Sequence, residues 1–435
     1  MKKFLYSVFM LAAVVLAACS NDDNGDTQPK RGMTLNASVE NLSSRATMTD
    51  ESGTWKFAFT ANDKVSVSNN KISNYYTFTN NGSQFTSTDA MVTTEDADWY
   101  AYFPGNEVDL TNQTGNFADV ANKFAVAGGT ALATTGEKGL SITLKPKVAV
   151  LRIVAVDKKG ILDIHVKTTA DDKWVKGLTA TKNAAEFTVS TSDDKTTLLH
   201  KAEGTVNAGE INYVVVPAGV KIEIYNGDLL LNKTKDAGLT AGKYYTITSG
   251  PTKGTENVLI NGKETPINWV QLWAGGPRFA TENVDKEMTW TEAAKTGSDY
   301  VWGANWRTPT AAEVTEEGGL QAEWNTKEGK WVVKEGSPTI NVTTKDGIEE
   351  TVEFTGVQPG YTKNTLTLYN KIDSHGYSHF NFWTTTENNG YGCMYRIMID
   401  KGIIGIFGPS SFESKDTKCL VRPVLSIQNI TNNKK

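Results

Sequence analysis

Few residues in this chain have the type and spacing for chemistry. Only four histidines occur among 435 residues. His375 and His379 are four apart, which on a helix would present two imidazoles to one metal ion, and Asp373 lies beside them. They fall in Asp-Ser-His-Gly-Tyr-Ser-His-Phe, where Gly376 and Ser378 favour a loop, so no metal site is expected. Glu316-Glu317 and Glu349-Glu350 read as solvated faces, not catalytic pairs. Nucleophile elbows, phosphate-binding glycine loops, dinucleotide fingerprints, C-x-x-C and H-E-x-x-H are all absent. The expectation is a non-enzyme without a cofactor. Of the three cysteines, Cys393 and Cys419 could form one disulfide in an oxidising compartment or stand as two buried thiols. Trp306, Arg307 and Trp383 could offer a sugar-stacking platform or serve as internal framework, with Arg307 hydrogen-bonded inside.

The third cysteine follows an export signal. Met1-Lys2-Lys3 is a basic start and Phe4 to Ala18 an apolar run of 15 residues. That is short of the roughly 20 needed to span a bilayer, so it reads as a signal peptide, residues 1–18. Leu16-Ala17-Ala18-Cys19 resembles a bacterial lipobox, which implies lipid attachment at Cys19. Residues 19–32 are polar and carry Gly and Pro, the composition of a flexible tether. Its Asp22-Asp23 resembles the surface-export signals of Bacteroidetes lipoproteins. Losing Lys2 and Lys3 moves the formal charge from −5 to −7, which disfavours nucleic acid as a partner.

From 34 to 249 the pattern is short alternating runs with almost no helical period: 34–39, 64–68, 75–78, 98–102, 140–144, 149–156, 162–167, 185–189, 212–216, 221–225 and 244–248. Asn/Gly/Asp turns such as Asn80-Asn81-Gly82 separate them. Many short strands so spaced predict an all-β sandwich region. Gly250 to Thr255 reads as a linker. Eight of the 11 tryptophans lie beyond it. So do two helical stretches, 289–295 and 310–318, the second opened by the capping box Thr310-Ala-Ala-Glu313. The C-terminal region is therefore expected to be α+β.

Several pieces in order resemble the fimbrillin-like (type V pilin) lipoproteins of Bacteroidales. They are Arg45-Ala46-Thr47 with Trp55, Asp63-Lys64-Val65-Ser66-Val67, Trp99-Tyr100-Ala101-Tyr102-Phe103-Pro104, Lys147-Val-Ala-Val-Leu-Arg-Ile153 and Gly238 to Thr248. The resemblance implies two transthyretin-like sandwiches, 33–145 and 146–250, joined by a crossing strand at 147–153. Residues 257–427, after a linker at 251–256, resemble the Fibrobacter major paralogous (FISUMP-type) domain. The matching pieces are Asn268 to Leu272, Phe279 to Val284, Trp306-Arg307-Thr-Pro309-Thr310, Phe382 to Glu387 and Val421-Arg422-Pro423-Val424. That family is related to the C-type-lectin-like fold. Trp273-Ala-Gly-Gly-Pro277 departs from its usual Gly-Leu-Pro-Ser-Gly.

The first resemblance gives Arg45 a role. An arginine-specific protease would cut between Arg45 and Ala46, removing the tether with the strand Met33 to Val39. The opened edge could then take a strand from another subunit. Uncut, Arg45 would be an ordinary surface residue of a retained lipoprotein. The residues after the last motif, with 428–435 a polar tail, look too short and polar to serve as a donor. The expectation is an outer-membrane lipoprotein exported to the surface and then part of a fimbrium. It would be a tip or accessory adhesin whose partners are other fimbrial subunits and host or microbial glycan or protein. The alternative is a non-polymerising surface lipoprotein with the same kind of ligand.

Overall fold

The computed structural model describes residues 31–39, 59–71, 74–91, 97–133, 139–157, 160–315, 320, 322–325, 330–333, 339–345, 349–355, 364–369, 371–372, 378–400 and 403–425. The signal peptide, Cys19, Arg45, Ala46, His375, Asp373 and the tail at 428–435 lie outside them.

The N-terminal unit contains β1 (Arg31–Val39), β2 (Lys64–Asn69), β3 (Tyr76–Asn80), β4 (Phe85–Met91), β5 (Ala97–Phe103), β6 (Glu107–Asp109), α1 (Phe117–Lys123), β7 (Val126–Ala133) and β8 (Leu140–Pro146). Seven of these strands close a barrel in the order β1-β4-β3-β2-β5-β7-β8. The region is all-β, as expected, and these strands join in one closed sheet. Because β1 pairs with both β4 and β8, the sheet has no free edge. Alternation builds the interior: Leu140, Ile142 and Leu144 point inward from β8 while Ser141 and Thr143 face out.

Only Lys147 separates β8 from β9 (Val148–Val154), the crossing strand into the second unit. That unit adds β10 (Leu162–Thr168), β11 (Trp174–Thr181), β12 (Glu186–Ser192), β13 (Leu199–Lys201), β14 (Ile211–Pro217), β15 (Ile222–Asn226), β16 (Leu229–Lys233) and β17 (Tyr244–Thr248). A sheet ordered β12-β11-β10-β15-β16 packs on the smaller sheet β14-β9-β17 as a sandwich. Two segments from before residue 145 belong here. β6 leaves the barrel to pair with β11, and α1 packs on β14. Gly177 permits the first of these, since a Cβ there would collide with the Val108 carbonyl. One apolar core, from Met33 to Leu239, runs through both units.

The expected linker is ordered. β18 (Lys253–Ile260) forms a hairpin with β19 (Lys263–Gln271), so residues 253–256 are strand and not free chain. After them come β20 (Arg278–Ala280), α2 (Trp290–Ala293), β21 (Trp306–Arg307), α3 (Ala311–Thr315), β22 (Ala322–Asn325), β23 (Lys330–Val333), β24 (Thr339–Lys345), β25 (Glu349–Thr355), β26 (Thr365–Tyr369), β27 (Lys371–Ile372), β28 (Ser378–Asn388), β29 (Tyr391–Asp400), β30 (Ile403–Glu413) and β31 (Val424–Leu425). Among its described residues the C-terminal region is thus strand-dominated, with α2 of four residues and α3 of five. Capping boxes start both helices. Thr289 and Glu292 exchange bonds at α2, and Thr310 and Glu313 at α3.

Its junction with the sandwich is tight. The Val156 carbonyl accepts from Gly275 N at 2.7 Å and Gln271 Nε2 at 3.0 Å. Arg278, 3% exposed, pairs with Asp157 at 3.4 Å and lies over the Trp269 ring.

Candidate functional site: the β1 slot and the C-terminal aromatics

β1 alternates as the sequence predicts. Met33 and Leu35 are buried, Ala37 and Val39 half-buried and packed on the core, while Asn36 and Ser38 face solvent. It runs antiparallel to β4, with Leu35 opposite Phe85, and parallel to β8, with Leu35, Ala37 and Val39 opposite Leu140, Ile142 and Leu144. Both neighbours are remote in sequence. The chain from β1 to β2 passes through Arg45, so a cut there would leave β1 held only by its two ladders and its inward side chains. Gly139 lies against β1 with φ +69°; a Cβ on it would sit 2.6 Å from the Thr34 carbonyl oxygen.

The residues expected near a C-terminal ligand divide differently. Trp306 is 1% exposed and Trp383 fully buried, both in one apolar cluster. Trp383 Nε1 donates to the Met288 carbonyl at 2.8 Å. Trp306 meets Trp302 edge to face at 5.3 Å. Neither indole can stack on a ligand; both are framework, because the strands carrying them turn these rings into the core. Arg307 makes a bidentate ion pair with Glu313, the residue that caps α3. Burial pushes the Glu313 carboxyl up, but the Arg307 and Thr310 hydrogen bonds outweigh it and hold it below its ordinary range.

Cys393 and Cys419 are buried thiols with no disulfide between them. Burial raises the Cys393 pKa, the opposite of an activated thiolate. His379 lies in β28, a strand, while His375 and Asp373 lie outside the described residues. Among the described residues no cluster of three metal-ligating side chains occurs.

Two features escaped the sequence reading. His165 sits between Asp163 (2.9 Å) and the Thr196 carbonyl (2.7 Å), a buried anchor for β10 on the face it shares with Asp163 and Lys167, which alternation marks as outward. Tyr391 and Phe412, 52% and 46% exposed, are the large aromatics that the C-terminal region turns to solvent among its described residues. The Asn389-Gly390 turn was the sequence signal for the hairpin that carries Tyr391.

No protein-family model and no curated protein matches the chain. Solved structures do. A candidate cell adhesion protein from Bacteroides uniformis is 13% identical, covering 50% of this chain and 91% of that one, with a TM-score of 0.30. One from Bacteroides ovatus is 10% identical over 55% and 96%, TM-score 0.32. A fimbrial protein from the same species is 12% identical over 92% and 100%, TM-score 0.23. At such identities and scores the likeness assigns neither activity nor partner.

Proposed function

We propose that this chain is a surface-exported accessory subunit of an adhesive fibre, a fimbrillin-like protein whose C-terminal region is a lectin-like binding domain. Lipid at Cys19 anchors it, and cleavage after Arg45 releases it. A strand from another subunit then takes the place of β1. One observation carries this reading: β1 completes the barrel between two strands remote in sequence, and the Arg45–Ala46 bond lies in the chain joining it to β2. Its removal exposes two backbone ladders and an apolar strip without disturbing any hairpin. The last described strand, β31, is locked between β20 and β21 and is no candidate donor. That profile suits a subunit which receives a strand.

The closed barrel also favours a second reading, a retained lipoprotein that stays whole and binds glycan or protein at the cell surface. One experiment separates them. The N-terminus of protein recovered from sheared surface fibres should be Ala46, and Arg45→Ala should remain full-length and outside the fibres. An Arg45→Ala protein that enters fibres normally would refute the release step; an acylated Cys19 on the mature protein would support the retained form.

A further inference from the structure

With Trp306 and Trp383 buried, the C-terminal region needs another face if it is adhesive. We propose that the β28–β29 hairpin and the end of β30 present a binding face for neutral pyranose oligosaccharides, with Tyr391 and Phe412 as its stacking rings. This rests on reading the C-terminal region as the adhesive part.

Phe412 lies opposite Cys393 in the β29–β30 ladder, and Tyr391 is two residues before Cys393 on the same strand. Cross-strand partners and residues two apart share a face, so the rings are diagonal neighbours, roughly 7–8 Å apart at the backbone. Both are about half exposed on a face whose strand continues into exposed Ser414 and Asp416. Asn388 stands opposite Tyr391. Asn, Ser, Asp and the Tyr hydroxyl are donors and acceptors suited to sugar hydroxyls. Aromatic faces carry partial negative charge, matching the weakly positive C–H hydrogens on one side of a pyranose.

The support beneath is rigid. Asn389 and Gly390 both have positive φ, +49° and +85°, the form of a tight two-residue turn. Gly392 brings its backbone against Trp290, where a Cβ would come within 2.6 Å of the indole Cγ. Trp290 is fixed by its Nε1 bond to the Thr384 carbonyl at 2.9 Å and by Lys415 at 4.6 Å over its ring. Lys415 is held in turn by Glu387 at 2.7 Å. The rings thus stand on a preorganised hairpin, which lowers the ordering cost of binding.

Size selects the occupant. Two half-exposed rings offer about 100 Å² each. A stable protein partner needs roughly 800 Å² on each side, whereas one or two sugar units are covered by two rings. The polar flanks suit a hydroxylated ligand better than an apolar one.

The test uses the full chain on an array of gluco-, manno-, galacto- and xylo-hexaoses, followed by calorimetric titration with the best binder. Tyr391→Ala and Phe412→Ala should each weaken binding tenfold or more. Tyr391→Phe should keep most of it, and Leu259→Ala, an exposed apolar control on β18, should change nothing. Because both rings are exposed, melting temperatures should hold, which excludes misfolding. Binding that survives both alanine variants would overturn this face while leaving an adhesive C-terminal region standing. Failure of the intact chain to bind any hexaose would overturn the saccharide class. Loss of fibre incorporation in the two variants would show the face to be a subunit contact instead.

Discussion

Leu35→Ala offers the sharpest test of β1 as an exchangeable strand. Leu35 is fully buried in the barrel between Phe85 and Leu140. Burial of Met33 and Leu35 contributes roughly 1.5–3 kcal/mol each, so β1 is held by about 3–6 kcal/mol of apolar contact before its ladders are counted. Truncating a buried leucine costs about 2–5 kcal/mol once the cavity is included. Each 1.4 kcal/mol is about tenfold in an equilibrium constant, so the cut variant should retain its β1 fragment roughly 30-fold to 4,000-fold less well. The assay is cleavage at Arg45 with an arginine-specific protease, then chromatography and mass spectrometry to follow loss of the fragment ending at Arg45. Asn36→Ala, on the solvent face of the same strand, should release at the wild-type rate. Equal release from Leu35→Ala and wild type would mean that the inward face does not hold β1, and the exchange argument would fail.

Four further outcomes follow from the same structure. Gly139→Ala, placing a Cβ against Thr34 at a left-handed φ, should push on β1 and speed fragment release after the cut. Trp383→Ala should destabilise the C-terminal region by about 3–5 kcal/mol, as deletion of a buried indole does, so its signature is a lowered denaturant midpoint. Gln271→Ala removes a buried side chain that donates to the Val156 and Gly276 carbonyls; losing the two bonds should cost about 1–3 kcal/mol. Calorimetry should then show the C-terminal transition separating from that of the sandwich. Glu313, whose carboxyl is held below its usual value of 4.5, stabilises the fold fully above that value, and the contribution fades as pH falls through its folded pKa. Melting temperatures from pH 3 to 7 should therefore drop at the acid end, and less steeply in Arg307→Gln.

What could be read from the sequence was what local pattern decides. The 140–144 run became a strand because its alternation matches one wet and one dry face; 64–68 and 98–102 are strands too, but Ser66, Ser68 and Tyr102 on their second faces are also buried. Thr289 and Thr310 start helices because their partners lie three residues on. Partner choice was not legible. Nothing in Glu107-Val-Asp109 says that it abandons the barrel for β11, since the pairing is set by a glycine seventy residues away. Residues 253–256 resemble a linker because β18 faces solvent on most of its length, leaving few apolar positions to mark it. The aromatic motifs left two roles open: Trp306, Trp383, Tyr391 and Phe412 are alike in type, and only the packing of the strands that carry them shows which rings point out.

Were β1 to leave as proposed, the slot would constrain more than whether a strand enters; it would fix how. β8 offers a parallel ladder and β4 an antiparallel one, so an incoming strand must run in the direction of β8 to satisfy both. Its side chains alternate, so a shift of one residue would turn its apolar set to solvent and its polar set to the core. The pocket row is also graded: Met33 and Leu35 fill the deep end against Phe85 and Leu140, while Ala37 and Val39 lie half-covered beside Ile142 and Leu144. A substitute must therefore be large at its first two inward positions and small at the third. An edge strand that merely supplied hydrogen bonds would meet none of the last conditions. Direction, register and size together make the slot selective for one kind of strand, which a subunit interface requires and a chance aggregation edge does not.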